Sequence, residues 1–482
     1  MDALNLTPAI AEIFLAGAAT LLVLLAAFVE PEVQASRLMR KISIGALVVT
    51  GALTVSYGSV PGMAFGNLFM SSPFTVYMKL LVLAGASVVL LISRPHLKAD
   101  NINKPEFALL ILFSVLGMMV MISANDLMVL YMGLELQSLP LYVIAAMQRD
   151  SLRSSEAGLK YFLLGALSSG LLLYGLSLVY GFTGGTNYAD IAGSLSGGAS
   201  PGAVIGIVFM IAGIAFKISA APFHMWTPDV YEGSPTIVTA FFAIAPKIAA
   251  MTLFLRMTYG MLGPVPESWQ QVTIMLAVLS MVIGALGAII QTELKRLMAY
   301  SSIAHMGYVL VGISSAIPSG ISAVMVYLAI YVVSAIGVFG VILSLSREGV
   351  PVHRIADLKG FSRSHPMHAA CMMIFMFSMA GIPPLGGFFG KWFAFLAAVE
   401  AGLVVLAVIG VLASVMGAFY YLRIVKMMYI DELENPLDVP SDSVNNLVIG
   451  ISALIVALFI FLLGPLRDSI AATMPYIVFV LG

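Results

Sequence analysis

Apolar residues along this chain run in long blocks instead of alternating with polar ones. Each block is about as long as a helix needs to be to cross a bilayer, roughly 20 residues. The blocks fall at 9–29, 38–58, 72–93, 105–123, 126–147, 154–181, 203–232, 235–262, 269–291, 296–315, 319–345, 367–399, 402–429 and 445–465. The blocks at 203–232 and 367–399 are interrupted by proline and glycine. The pattern predicts an all-α polytopic membrane protein of about 14 transmembrane helices, with spans seven and twelve discontinuous. The first block is too long, and its start too lacking in basic residues, for a removable signal peptide.

Composition agrees with that reading. Sixty per cent of the residues are apolar and 10% charged, where a soluble domain carries about 25% charge. So little charge cannot cover a water-facing surface, and lipid must solvate the chain. A net charge of −1 lacks the basic stripe that nucleic acid requires. The single cysteine, Cys371, excludes a disulfide framework, a cysteine-ligated iron–sulfur cluster and a structural zinc site.

The basic residues orient the spans. If successive loops alternate sides, one side holds 16 of the 23 lysines and arginines, from Arg37 to Lys426, and the other only Arg467. The positive-inside rule then puts both termini outside the cytoplasm, as an even number of spans requires. Six basic residues remain within the spans: Lys79, Lys160, Lys217, Lys247, Arg256 and Lys391. Lys79 and Arg256 lie within about two turns of an outer helix end, where snorkelling is expected. The others are informative, because an uncompensated mid-bilayer charge costs at least about 2.5–3.5 kcal/mol. By helix rise, Lys247 is about 18 Å into its span and Glu135 about 14 Å into the fifth, both near the midplane. Lys217 and Lys391 sit near the middle of the two interrupted spans.

Each candidate has a plainer alternative. Lys160 follows Glu156 by one helical turn, the spacing of a simple surface ion pair. Glu135 and Lys217 could form a purely structural pair, although desolvation makes buried pairs poor stabilisers. His224 and His305 fit polar packing positions better than haem ligands.

The interruptions reinforce the charges. Span seven reads FKISAAPFHMWTPD over 216–229, and span twelve SMAGIPPLGGFFGKW over 378–392. Proline removes a backbone donor and breaks the helical ladder. In hydrocarbon such a break persists only inside protein or beside a wet cavity. A broken span carrying a lysine, twice in one chain, marks an ion path. The five-span interval between the breaks predicts two inverted five-helix repeats, spans 4–8 and 9–13, the arrangement of many transporters. The expected organisation is N-terminal helices over 1–104, repeats over 105–264 and 265–430, and a final segment over 431–482.

The stretch 216–229, with Ser234-Pro235-Thr236 and Ala245-Pro246-Lys247, resembles the proton-conducting antiporter-like family shared by respiratory complex I and multi-subunit (Mrp-type) cation/proton antiporters. So does LKRLMAYSSIAHMGY over 294–308. EAGLKYFLLGA over 156–166 and FYYLRIVK over 419–426 are most similar to the N-subunit branch of complex I, NADH:quinone oxidoreductase. The resemblance runs from about residue 70 to 430. It implies that Glu135 pairs with Lys217 and tunes its proton affinity, that Lys247 is the central relay and that Lys391 exchanges protons with the periplasmic side. It further implies that His305 is a polar connector and that Lys160 and His224 line a cytoplasmic half-channel. Flavin, iron–sulfur clusters and quinone would then belong to partner subunits, since the sequence carries no dinucleotide fingerprint, Walker loop or cysteine cluster. The partners implied are the other membrane-arm subunits, including neighbouring antiporter-like ones, and the membrane a bacterial inner membrane. The alternatives are a subunit of a cation/proton antiporter or of a proton-pumping membrane hydrogenase, and a scaffold with vestigial charges. Sodium counterflow uncoupled from NADH oxidation would distinguish the antiporter.

Overall fold

The computed structural model describes residues 5–100, 102–439 and 442–476 and is almost entirely helical. The chain opens with α1 (Ile10–Ala26), α2 (Glu32–Gly58), α3 (Pro73–Ala99), α4 (Pro105–Ser123), α5 (Leu127–Ala145) and α6 (Leu152–Thr183). A short α7 (Tyr188–Leu195) precedes α8 (Pro201–Ile218), α9 (Trp226–Gly233) and α10 (Thr236–Leu255), which continues as a π-helix over Arg256–Met261. Then come α11 (Gln270–Ile289), α12 (Leu294–Ser314), α13 (Pro318–Ser344), the single turn α14 (Phe361–Ser364) and α15 (Pro366–Ala380). The chain closes with α16 (Gly386–Glu400), α17 (Val404–Tyr429), α18 (Ser443–Ala457) and α19 (Phe459–Thr473).

Twelve of these helices are individually long and apolar enough to cross a membrane. They correspond to every expected span except the twelfth and fourteenth. The twelfth is the pair α15 and α16, 15 residues each, too short to cross alone. The fourteenth is α18 and α19, bent by 80° at Leu458. Proline starts α3, α4, α13 and α15 at their first turn, where its missing N–H costs nothing. The breaks open on left-handed residues, Ser219 at φ 62° after α8 and Gly381 at φ 90° after α15. The sequence pattern did not predict α7 or the two short hairpins, Gly62–Ala64 with Phe69–Ser71 and Ser346–Arg347 with Val350–Pro351. These elements are too short to carry a readable period.

The described residues form two compact units. One holds the chain up to Ile218, Ile244–Val272 and the segment from Ala471; the other holds Ser219–Ala243 and Thr273–Ile470. Within the first, α4 and α5 pack so closely that a Cβ added to Gly117 would lie 2.2 Å from the Gln137 backbone nitrogen. Within the second, α12 and α13 are the most enclosed helices, 94% and 89% buried over their most apolar windows. The loop that returns from α13 is pinned by Leu294 N donating to His353 O at 2.7 Å.

Two measurements check this packing. Gly117→Ala must push backbone against backbone, and is expected to destabilise by about 1–3 kcal/mol, read as a lower unfolding temperature of the purified protein. In the α13–α14 loop, burial and the nearby Lys295 charge hold His353 down at about 4. As pH falls below about 6.5 the unfolded loop takes up a proton that the folded loop refuses. Loop stability is therefore full above that pH and declines towards pH 4; hydrogen exchange should show this slope, and His353→Gln should abolish it.

Candidate functional site

Within the first unit, Lys217 is the penultimate residue of α8 and only 6% exposed. Its ammonium donates to Ser138 Oγ at 2.8 Å and to Tyr142 OH at 3.0 Å, both on α5. Ser138 and Tyr142 follow Glu135 by one and two helical turns, so all three share a face. Glu135 does not take the ammonium directly: Ser138 and Tyr142 occupy that place, and Glu135 Oε1 is buried with no hydrogen-bond partner. Lys247, 1% exposed on α10, donates to Ile218 O at 2.9 Å. That carbonyl is the last of α8, adjacent in sequence to Lys217. Such terminal carbonyls lack an intrahelical partner and carry the negative end of the helix dipole, so an ammonium caps them well. Lys160 makes the one-turn ion pair with Glu156 at 2.7 Å, and both side chains are well exposed.

The second unit repeats this arrangement with other residues. Lys391, on α16 and 5% exposed, donates to Met379 O and Ala380 O at 2.9 Å each, the final carbonyls of α15. It also donates to Ser414 Oγ of α17 at 2.8 Å and lies 4.8 Å from the Tyr308 ring centre. Each broken half-helix thus ends on a buried lysine. His305 of α12 has Nδ1 2.6 Å from Tyr327 OH and Nε2 3.0 Å from Tyr421 OH. One ring nitrogen therefore donates and the other accepts in the neutral form. A cavity of about 10 Å³, the size of one water, is lined by His305, Tyr327, Tyr331, Ser334, Ser378 and Met379. Ser334 Oγ is buried there without a partner. The span-seven break is braced by Ala221 N donating to Ser280 Oγ at 2.8 Å and Thr227 Oγ1 to Ser219 Oγ at 2.7 Å. His224, in that break, is part-exposed with a buried, unpartnered Nδ1.

The structure corrects one expectation outright. Lys79 and Arg256 do not snorkel: they are 1% and 3% exposed, Lys79 pairing with Glu12 at 2.6 Å. Helix position gave their depth, but not that neighbouring helices enclose them. Sequence reasoning also missed Ser138, Tyr142, Ser414, Tyr327 and Tyr421. The first two were accessible from their spacing to Glu135; hydroxyls are too common in spans for the others to stand out. Among the described residues no group of three histidine, cysteine or carboxylate side chains is placed to hold a metal.

Comparison with known proteins shows the family of the chain. The profile of the NADH:quinone oxidoreductase/Mrp antiporter transmembrane family matches residues 124–417. NADH-quinone oxidoreductase subunit N of Rhodospirillum rubrum is 54% identical over 463 residues, covering 95% of this chain and 94% of that protein. The protein of the same name from Parvibaculum lavamentivorans is 52% identical over 431 residues, 89% of each chain. A chain of respiratory complex I from Thermus thermophilus, solved with bound aureothin, superposes with a TM-score of 0.81 at 30% identity, covering 98% of this chain and all of that one. A chain of the Mrp complex from Dietzia shares the fold, with a TM-score of 0.83 at 21% identity. The chain belongs to the NADH:quinone oxidoreductase/Mrp antiporter transmembrane family, among the proteins called NADH-quinone oxidoreductase subunit N.

Proposed function

We propose that this chain is a proton-translocating membrane-arm subunit of a bacterial NADH:quinone oxidoreductase, lying in the inner membrane with both termini on the periplasmic side. The observation that carries this reading is the pair of buried lysines at the ends of broken half-helices, Lys247 on Ile218 O and Lys391 on Met379 O and Ala380 O. These ammonium groups are held by carbonyls and hydroxyls. Such a lysine can lose its proton without stranding a buried anion, which a lysine locked to a carboxylate cannot do.

Protons pass along Lys217, Lys247 and Lys391, with Glu135 biasing Lys217 through the intervening Ser138 and Tyr142. His305 relays through its two tyrosine hydroxyls, and Lys160 and His224 serve proton uptake. The inverted repeats of spans 4–8 and 9–13 place one such lysine-capped break in each. Flavin, iron–sulfur clusters and quinone act in partner subunits, among them neighbouring antiporter-like chains, and their redox energy reaches this one as electrostatic or conformational change. The work is modest per group: moving one charge against 100 mV costs about 2.3 kcal/mol, and one pKa unit is worth about 1.4 kcal/mol.

Lys247→Gln is expected to abolish this subunit's share of proton pumping in vesicles oxidising NADH; undiminished pumping would refute the relay. The double variant Ser138→Ala, Tyr142→Phe strands the Lys217 ammonium, and is expected to cut pumping several-fold with the complex still assembled, as native gels would verify. Sodium counterflow independent of NADH oxidation would instead favour a cation/proton antiporter subunit.

A further inference from the structure

A second set of buried charges in the first unit lies apart from the Glu135, Lys217 and Lys247 group. Glu12 of α1 and Lys79 of α3 form an ion pair at 2.6 Å with side chains 6% and 1% exposed. Arg256, 3% exposed at the start of the π-helix, donates to Ile122 O at 2.8 Å and to Asn125 Oδ1 at 3.3 Å. Its guanidinium lies 5.7 Å from the Tyr188 ring centre and within electrostatic range of Lys79. Asp126, 2% exposed, accepts from Met128 N and so caps α5.

Asn125 ties this end of the unit together. Its backbone and amide bond to Leu68 O and Asn67 O, its carbonyl accepts from Tyr188 N, and its side-chain oxygen takes Arg256. The hairpin after α2, the α4–α5 turn, the start of α7 and the end of α10 therefore meet on one asparagine. The turn is unwound, and Asn125 is held by protein at both its backbone and its side chain, while Ser123 Oγ and Tyr188 OH beside it are buried without a hydrogen-bond partner.

The four charges sum to zero, Glu12 against Lys79 and the α5-capping Asp126 against Arg256, but the charge carried on α10 itself is the cation. That cation, Arg256, does not release its proton. Arg256 follows Lys247 by nine residues, about 13.5 Å of helix rise along α10. The residues between them are apolar except Thr252, whose hydroxyl is spent on Ile248 O at 2.8 Å. On the topology proposed above, this is the direct line from Lys247 to the outer surface.

We propose that Arg256, supported by the Glu12–Lys79 pair, is an electrostatic barrier that keeps a proton at Lys247 from escaping directly to the outer side along α10. A fixed cation in a narrow, low-dielectric passage repels an excess proton, as arginine and oriented dipoles do in selective pores. Without such a barrier, a mid-membrane proton site would short-circuit the gradient that the complex builds. Arg256 is thus a positioning residue for the path: it touches no transferred proton and decides where protons cannot go. The inference rests on the proton-translocation reading.

The test is passive proton leak through the whole complex in sealed liposomes, under an imposed potassium–valinomycin potential and without NADH. Arg256→Met keeps the aliphatic stem and removes the charge; Lys79→Met leaves the Glu12 anion to offset Arg256. Either is expected to raise protein-dependent leak about tenfold, the factor that matches ~1.4 kcal/mol of barrier. Adding Lys247→Gln is expected to return the leak to the wild-type level, and Arg256→Lys to remain tight. Wild-type leak in an assembled Arg256→Met complex, or a leak that persists with Lys247→Gln, would overturn the barrier. If Arg256→Met does not assemble, Lys79→Met decides by the same two outcomes. NADH-driven pumping by Lys247→Gln alone tests the functional reading separately, so failure of one is not mistaken for failure of the other.

Discussion

A buried ammonium needs acceptors, and a helix broken in mid-membrane needs donors. That mutual requirement organises this molecule. A half-helix that stops inside hydrocarbon exposes carbonyls with nothing to bond, and a lysine in the same place lacks water. Lys247 on Ile218 O and Lys391 on Met379 O and Ala380 O resolve both deficits at once. Neither break is a defect tolerated for flexibility; each creates the seat that makes a mid-membrane lysine affordable.

The chemistry of those seats follows from the groups that hold each ammonium. Lys79 is locked to a carboxylate, whereas Lys217 is held by Ser138 and Tyr142 hydroxyls. The first arrangement sets two opposite charges against each other. The second surrounds the ammonium with hydroxyls, which can reorient to donate where they had accepted. Glu135 sits at one remove, with Ser138 and Tyr142 between it and the ammonium on its own helix face, and its buried Oε1 has no hydrogen-bond partner. The His305 ring, bonded at both nitrogens to tyrosine hydroxyls, extends the same logic to the second unit.

Much of the fold was legible in the sequence because lipid imposes a strict length on apolar blocks. Eleven of fourteen expected spans are single helices, and the seventh, twelfth and fourteenth are divided. The break in the twelfth was visible in its proline–glycine run; the 80° bend at Leu458 had no such signal, since Pro465 lies beyond it. The breaks were also legible, because proline and glycine act on their own backbone. Lys160 shows the limit of spacing: its one-turn relation to Glu156 allowed a surface pair, and that is the contact it makes.

By itself, the sequence determined that this is a polytopic membrane protein, which lysines lie at depth and where the helices break. These follow from local properties: block length, the cost of charge in lipid and the geometry of proline. Only the tertiary structure decided what each charge touches. It enclosed Lys79 with Glu12, set Arg256 against Asn125, and placed Ser138 and Tyr142 at Lys217. A long, flexible side chain can reach several partners, and which one it meets depends on how residues remote in the chain are packed around it.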